Sequence, residues 1–409
     1  MRQSNERLVL QTIRLNGALS QARIARLTRF TPQTVSLILA RLDKDKLLLR
    51  HPSVRGQVGQ PSVPISLNAE GAFAIGIQIG RRNMDALLVD FVGNVRERLS
   101  LDYSFPDPSR LFDDINTSVK KLRASLKPDQ RARLCGIGIA APLSLGGWQQ
   151  LLGVAPKLAK EWQSIDLRKR VAALGACSHL PISFVKDTAA ACVAELVNGR
   201  GRHMSSFLYM FVDTFIGGGL VLNSHLVEGR TGNAGAVGSV ALGLSKRHKS
   251  LPGQLLSVAS LFSLEASYAR ANLDVNAWTD GRALGRPWAP LTRRWVKESS
   301  RAIALTINSA ACLLDVDGVV IDGAFGRPLL ESLLKGVELA AAEYSWEGVE
   351  RPAVMGGTIG SDARALGGAS LPIYAQFAPD RDLFLFSKDS DSADSAARPT
   401  DQEPSKRTA

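Results

Sequence analysis

Three segments near the start of the chain place apolar residues at helical spacing. The first runs from Asn5 to Asn16 and is followed by Gly17, which is typical of a helix end. The second, QARIARLT, follows Ser20; the third, PQTVSLILARLDKD, follows Thr31 and has Pro32 at its first position. Ser and Thr favour the position before a helix, and Pro favours its first turn. Two short helices, a tight turn and a third helix predict a helix-turn-helix.

The third helix is followed by two further apolar segments, LLLRH and VPISLN. Between them lies SVRGQVGQPS, which is rich in Gly, Pro and Ser and reads as a loop. A strand, a loop and a strand in this place are the layout of a wing. We therefore expect residues 1–66 to form a winged helix-turn-helix domain.

Beyond Asn68 the spacing changes to that of strands. FAIGIQIG, NMDALLVDF and VRERLSLDY predict three strands joined by short turns, followed by a helix from Leu111 to Leu126 and the strand LCGIGIAAP. The later segment SSFLYMFVDTFIGGGLVLNSHLVEG repeats this arrangement. The pattern predicts a two-lobed α/β body, and the repetition favours a duplicated, actin-like ATPase fold with a cleft between the lobes.

We expect lobe I at residues 67–190, rejoined by about 372–386, and lobe II at residues 191–371. Residues 387–409 are polar, rich in Ser and Asp and almost without apolar groups. Such a segment buries too little apolar surface to fold, so we expect a disordered tail.

The charge of the chain is concentrated in the first domain. The formal net charge is +12, and residues 1–66 hold eleven Lys or Arg against three Asp or Glu, a balance of +8. A basic balance confined to a small terminal unit indicates a surface that faces phosphates. The alternatives are a solvated charged face and a three-helix packing unit that does not bind DNA.

The start of the third helix carries short polar side chains that suit base edges in a major groove. Arginines, among them Arg23 and Arg26, suit phosphates, and the wing suits a minor groove. The predicted DNA-binding residues are Thr31, Gln33, Thr34, Ser36, Arg41, Arg55 and Gln60.

No run of 18 or more apolar residues occurs, and the charged N-terminus differs from a signal peptide. We expect a cytoplasmic protein that does not enter a membrane. The four cysteines are scattered without a Cys-x-x-Cys pair, which indicates reduced thiols in packed positions.

The motifs of the body resemble those of the ROK family (repressors, open reading frames and sugar kinases), in particular its repressor branch with a helix-turn-helix. They are, in chain order, GIQIGRRNMDALLVDFVGNV, GIGIAAP, KDTAAACVAE, DTFIGGGLVLNSHLVEGRTGNAGAVGS, VVIDGAFG and GSDARALGGASL. The resemblance extends from Asn5 to about Phe386 and implies a sugar-kinase-like fold.

The phosphate loops depart from those of the family's kinases. Gln78 replaces the loop aspartate that orders the metal, and Arg81 and Arg82 fill positions that hold small residues in the family. In the second loop, Asp213-Thr214-Phe215 stands where the family has Gly-Thr-Gly, while Gly217–Gly219 remain as a tight turn. These departures predict that ATP-dependent phosphorylation is lost, so we expect no enzyme activity and no cofactor.

The zinc element of the family is also missing. Neither the Gly-Glu-x-Gly-His segment nor the three cysteines is present; the corresponding residues are Ala236, Ser239, Leu256, Val258 and Ser263. These side chains cannot form a Cys₃His site, so we expect no structural zinc. The segment LLSVASLFSLEA instead predicts one ordinary helix with an apolar face.

The resemblance implies that part of a sugar site survives. Asp187 matches the family's general base and is here a vestigial one, and Glu265 matches a carboxylate that accepts hydrogen bonds from sugar hydroxyls. Lys186 replaces the family's Asn, and Asn233 is close enough along the chain to join a rebuilt site. The alternative for Asp187 is a structural role, either pairing with Lys186 or capping the following helix.

These features together predict a transcriptional repressor of carbohydrate metabolism. It would bind a double-stranded DNA operator as a homo-oligomer, a dimer or tetramer, and respond to a sugar or sugar derivative. One alternative is a ROK sugar kinase with a DNA-binding domain. Another is a DNA-binding oligomer that responds to no ligand.

Overall fold

The computed structural model describes residues 2–53, 63–147, 153–244 and 252–379. At the N-terminus three helices precede a two-stranded antiparallel sheet. These elements are α1 (Arg2–Asn16), α2 (Gln21–Thr28), α3 (Pro32–Lys44), β1 (Leu48–Arg50) and β2 (Ile65–Leu67). The Ser20 hydroxyl accepts a hydrogen bond from the Arg23 N–H (3.3 Å), and Thr31 accepts one from Thr34 (3.2 Å). Both predicted N-caps are confirmed.

The three helices and β2 enclose a small core, in which Val9, Ile13, Ile24, Val35 and Ile65 are buried. The loop between the two strands lies outside the described residues, and so do the predicted DNA contacts Arg55 and Gln60.

Lobe I is built on a five-stranded sheet of order β5-β4-β3-β6-β7. Strands β3 to β5 are antiparallel neighbours, while β6 and β7 run parallel to β3. The strands are β3 (Phe73–Ile79), β4 (Asn83–Asp90), β5 (Val95–Asp102), β6 (Leu134–Ala141) and β7 (Ile182–Lys186). The helices between them are α4 (Pro108–Ser125), α5 (Pro128–Arg131), α6 (Pro156–Ser164) and α7 (Leu167–Ala172).

Lobe II repeats this order with the sheet β10-β9-β8-β11-β12 and the same strand directions. Its strands are β8 (Phe207–Val212), β9 (Gly217–Leu222), β10 (His225–Val227), β11 (Gly318–Gly323) and β12 (Ala353–Gly356). The remaining helices are α8 (Asp187–Asn198), α9 (Leu255–Val258), α10 (Leu261–Arg270), α11 (Ala289–Leu314), α12 (Arg327–Ala341) and α13 (Ala363–Phe377). The predicted duplication is therefore present, and the body has the actin-like arrangement.

Helix α13 returns the chain to lobe I and begins at Ala363, earlier than the predicted return at about 372. Its glycines allow the backbones to approach closely. A Cβ on Gly138 of β6 would lie 1.8 Å from the Gly368 carbonyl oxygen, and one on Gly367 would lie 1.7 Å from that of Ala190 in α8. Helix α13 is thus pressed against both β6 and α8: a side chain at Gly138 would force α13 away from β6, and one at Gly367 would force it away from α8.

Two local predictions were wrong. The segment predicted as one helix forms α9 and α10, separated at Ala259 and Ser260, where the Ser260 hydroxyl accepts a hydrogen bond from the Ile216 N–H (2.9 Å). Gly217–Gly219 form the start of strand β9 instead of a turn. A Cβ on Gly219 would lie 2.6 Å from the Cβ of Cys192, so this glycine lets β9 approach α8.

The predicted tail, residues 387–409, falls outside the described part of the chain. No helix within that part combines the length and apolar character needed to cross a membrane.

Candidate functional site

Helix α3 presents an exposed face that includes two of the predicted DNA-binding residues. Gln33 and Ser36 are exposed there, next to Leu37 and Ala40. Leu37 is 64% exposed and was not among the predicted residues. An apolar side chain at this position can contact a thymine methyl group. Its signal in the sequence was a leucine outside the apolar stripe of the helix.

The other predicted residues of α3 are engaged within the unit. The hydroxyl groups of Thr31 and Thr34 are hydrogen-bonded to each other at 2.9 Å. Arg41 forms an ion pair with Glu6 of α1 (2.8 Å), and its Nε–H donates to the Leu37 carbonyl oxygen (3.2 Å). Arg41 therefore joins α3 to α1 in this structure. The exposed basic side chains of the unit include Arg26, Arg29, Lys44 and Lys46.

The N-terminal unit is attached to the body at the end of α1. One guanidinium nitrogen of Arg202 donates to the carbonyl oxygens of Arg14 (3.0 Å) and Leu15 (2.9 Å). Arg14 in turn donates to the Phe91 carbonyl oxygen (2.9 Å) and lies over the rings of Phe91 and Tyr374. Since the last carbonyls of a helix have no partner within it, Arg202 completes the hydrogen bonding of α1.

A cavity of about 230 Å³ lies in the cleft between the lobes. Its polar lining comes from both lobes and from the start of α8. These residues are Arg81, Ser144, Lys186, Asp187, Thr188, Asn233 and Ser239. The structure thus brings together Asp187 and Asn233, two of the three predicted ligand-binding residues.

Asp187 is the first residue of α8, and its Oδ1 accepts a hydrogen bond from the Thr188 N–H (2.8 Å). The carboxylate therefore binds one N–H group in the first turn of the helix, while Lys186 stands at the N-cap position without a side-chain capping hydrogen bond. Lys186 donates to the Ala234 carbonyl oxygen at 3.3 Å. Burial lowers the pKa of Lys186, and the nearby Asp187 charge acts in the opposite direction.

Glu265, the third predicted residue, is not part of the cavity wall. Its buried carboxylate forms an ion pair with Arg82 and accepts a hydrogen bond from the Trp278 indole N–H (3.1 Å). Burial raises the pKa of Glu265, while the hydrogen bond and the charge of Arg82 lower it. The sequence singled out Arg82 and Glu265, but it gave no sign that they contact each other.

The segments at the positions of the family's two phosphate loops also contact each other across the cleft. The guanidinium of Arg81 lies over the Phe215 ring (5.1 Å) and donates to the Ser144 carbonyl oxygen (3.2 Å). Gln78 is buried; in the amide orientation that satisfies both groups it donates to Asp85 Oδ2 (3.2 Å) and accepts from the Gly80 N–H (2.9 Å). The residues that replace the family's loop residues therefore bind protein groups of this chain.

Arg364 of α13 is a cleft residue that sequence reasoning missed. It is buried, forms an ion pair with Asp213 and lies over the Phe211 ring (5.1 Å). The signal was an arginine within the Ala- and Gly-rich helix segment ARALGGASL. Asp213 and Arg364 thus join lobe II to the helix that packs on lobe I.

Among residues 2–53, 63–147, 153–244 and 252–379, no group of three His, Cys, Asp or Glu side chains is placed to hold a metal ion. Ser263, at a former cysteine position, donates to the carbonyl oxygens of Val258 (2.8 Å) and Ser260 (2.7 Å).

The sequence model of the ROK family matches residues 74–373, which span both lobes and the cleft. The chain belongs to the ROK family. The resemblance inferred from the motifs is confirmed, and so is the actin-like, sugar-kinase-like fold of the body.

Other ROK proteins are similar over different parts of the chain. A xylose repressor from Bacillus spizizenii is 24% identical over 242 residues, 58% of this chain and 60% of the relative. A ROK family transcriptional regulator described as a homologue of the E. coli MLC protein superposes with a TM-score of 0.66 at 20% identity, covering 92% of this chain and 97% of that one. A ROK glucokinase from Streptomyces griseus gives a TM-score of 0.59 at 20% identity, covering 73% and 99%. The chain thus spans about 60% of the curated relative's length.

The ion pair of Glu265 leads to a pH-dependent prediction. A carboxyl whose pKa is raised by folding binds a proton more readily in the folded chain, so the free energy of unfolding falls as pH rises through the window between the two pKa values. Arg82→Ala removes the groups that lower the pKa of Glu265 and widens this window. We expect it to reduce the free energy of unfolding by about 1–3 kcal/mol at pH 8 and by less at pH 5.

Chemical unfolding of the wild type and the variant at both pH values measures this difference. The control is Arg294→Ala, which removes an exposed i,i+4 ion pair with Glu298 and is expected to change little at either pH. If Arg82→Ala reduced the free energy of unfolding equally at pH 5 and pH 8, the assignment of the pH dependence to Glu265 would be wrong.

Proposed function

We propose that this ROK protein is a sugar-responsive transcriptional regulator that acts as a repressor. Residues 1–66 would form a winged helix-turn-helix that binds an operator, and the cleft would bind the effector. The observation that carries the proposal is the exposed face of α3 with Gln33, Ser36 and Leu37, on a unit whose charge balance is +8. The similarity to xylose repressors, and a regulator structure that covers 92% of the chain, support it.

The operator would be a double-stranded site with two related halves. A single module of this size contacts too few phosphates for tight specific binding, so we propose that a dimer or tetramer presents paired α3 helices to successive major grooves. As a regulator of transcription, the protein would act in the cytoplasm.

Helix α8 offers a physical connection between the cavity and the N-terminal unit. Its first residue, Asp187, lines the cavity, and Arg202, just beyond its last residue, holds the end of α1. Within the helix, buried Glu195 accepts hydrogen bonds from the N–H groups of Arg200 (2.9 Å) and Ile359 (2.9 Å). We propose that a ligand which favours one position of α8 thereby favours one arrangement of the α3 helices in the oligomer.

The kinase alternative has less support. Asp187 retains the position of a general base, but Gln78 is hydrogen-bonded within its own loop, and Arg81 and Phe215 occupy the space between the phosphate loops. A neutral amide is a poor substitute for a metal-ordering carboxylate. We therefore propose that the cleft senses a ligand without phosphorylating it.

The role of α3 can be tested with Gln33→Ala. Duplexes selected by the wild-type chain from a randomised pool serve as probes, and fluorescence anisotropy at fixed salt gives the affinities. We expect a loss of about 1–3 kcal/mol on the selected sequence and a smaller loss on unrelated DNA, because a base contact is removed. The control is Lys120→Ala, an exposed change on α4 of the body. Unchanged affinity of Gln33→Ala for the selected duplex would contradict the assignment of the reading helix.

The connection through α8 can be tested with Arg202→Ala. We expect the variant to bind the selected duplex within about threefold of wild type and to bind its effector normally, while the effector no longer changes DNA affinity. The effector is taken from a panel of pentoses, hexoses, amino sugars and their acids and phosphates. Arg200→Ala, an exposed neighbour, is the matched control. A full effector response in Arg202→Ala would rule out this connection.

The proposed loss of kinase activity predicts no sugar-dependent consumption of ATP. A coupled assay across common pentoses, hexoses and amino sugars, with a ROK glucokinase as positive control, measures it. Turnover that disappears in Asp187→Ala would favour the kinase alternative.

A further inference from the structure

The charged side chains around the cleft cavity do not balance. Two ion pairs of the cleft, Arg82 with Glu265 and Arg364 with Asp213, lie outside the cavity wall, although the Asp213 charge also acts on Arg81. The charged residues that line the cavity itself are Arg81, Lys186 and Asp187. Two cations thus face one carboxylate, and the cavity wall has an excess positive charge.

Both cations have unused hydrogen-bonding capacity. The Lys186 ammonium has three N–H groups, and its hydrogen bond to the Ala234 carbonyl oxygen is the only one found among the described residues. Arg81 donates to the Ser144 carbonyl oxygen, but its buried Nε–H has no hydrogen-bond partner within the described ranges. Burial lowers the pKa of both groups, while the Asp187 charge acts in the opposite direction on each of them and the Asp213 charge does so on Arg81.

The N-terminus of α8 adds to the positive charge that faces the cavity. This helix has twelve residues, and Asp187, its first, lines the cavity together with Thr188. The N-terminus of a helix carries a partial positive charge and favours anions. Arg81 and Lys186 also stand where family resemblance predicts a small residue and a neutral Asn. The positive charge is therefore a departure that this chain has introduced.

We propose that the cavity binds an anionic sugar derivative, with Arg81 and Lys186 at its carboxylate or phosphate group and Asp187 and Asn233 at its hydroxyl groups. An anion neutralises the positive charges of Arg81 and Lys186, which an uncharged sugar cannot do. The Asp187 carboxylate accepts hydroxyl hydrogen bonds, and the Asn233 amide both donates and accepts them. This inference names the ligand class of the cavity, and it rests on the proposed function only for the claim that the ligand acts as effector.

Isothermal titration calorimetry of the full chain compares each sugar with its charged derivatives. The probes are D-xylose with D-xylonate, and D-glucose with D-glucuronate and D-glucose 6-phosphate; inorganic phosphate is the control for a simple anion. We expect at least one charged derivative to bind at least tenfold more tightly than its neutral parent. The carboxylate and phosphate probes show which anion the site prefers.

Lys186→Asn and Arg81→Gln test the two cations separately, so that a folding defect in one variant leaves the other informative. We expect each to weaken binding of the preferred anion at least tenfold and to leave neutral-sugar binding unchanged. Lys169→Asn, an exposed lysine of lobe I, is the matched control and is expected to bind as wild type does.

Several results would overturn the inference: equal or tighter binding of the neutral sugars, no binding of any charged probe, or inorganic phosphate binding as tightly as glucose 6-phosphate. DNA binding, measured separately, distinguishes this failure from that of the proposed function. A neutral sugar that releases DNA would leave the regulator intact and refute the anionic ligand. If an anionic sugar binds but the chain has no affinity for DNA, the ligand class is supported and the proposed regulator is refuted.

Discussion

Every residue of α8 from Thr188 to Val197 is buried, because the helix lies between β9 of lobe II and helix α13, which packs on lobe I. Glycines allow this close approach: a Cβ on Gly367 would meet the Ala190 carbonyl oxygen, and one on Gly219 would meet the side chain of Cys192. Protein interiors packed in this way have little free volume and transmit displacements. The connection from the cavity to α1 that we propose depends on this close packing of α8.

The arginines of the cleft hold the two lobes in one relative geometry. Arg82 with Glu265 and Arg364 with Asp213 each bury a carboxylate or a guanidinium, so desolvation offsets much of the attraction within the pair, whereas removing one partner leaves the other charge uncompensated. What they determine is which surfaces of the two lobes face each other. At the positions of the family's phosphate loops, Arg81 and Phe215 contact each other across the cleft, and a cavity lies beside them at Asp187.

Local chemistry made much of this molecule predictable. The N-caps Ser20 and Thr31 lie within three residues of the N–H groups that they bind, and the strand spacing of both lobes is a property of short segments. The family motifs then gave the order of the lobes. The pairing of side chains could not be predicted in this way. The ion pairs Arg41–Glu6 and Arg82–Glu265 join residues that are far apart in sequence, and no periodic pattern indicates such a pairing. The family motifs indicated that Asp187 and Asn233 share one site. Nothing in the sequence showed that the Glu265 carboxylate is already paired with Arg82.

The joint between the N-terminal unit and the body uses the main-chain oxygens of Arg14 and Leu15, which accept from Arg202, together with one side chain of α1, that of Arg14, which lies over Phe91 and Tyr374. Any helix of suitable length that ends at this point offers the same two acceptors. None of these joint contacts involves the exposed face of α3. Substitutions on that face can therefore alter what the N-terminal unit binds without disturbing its attachment to the body.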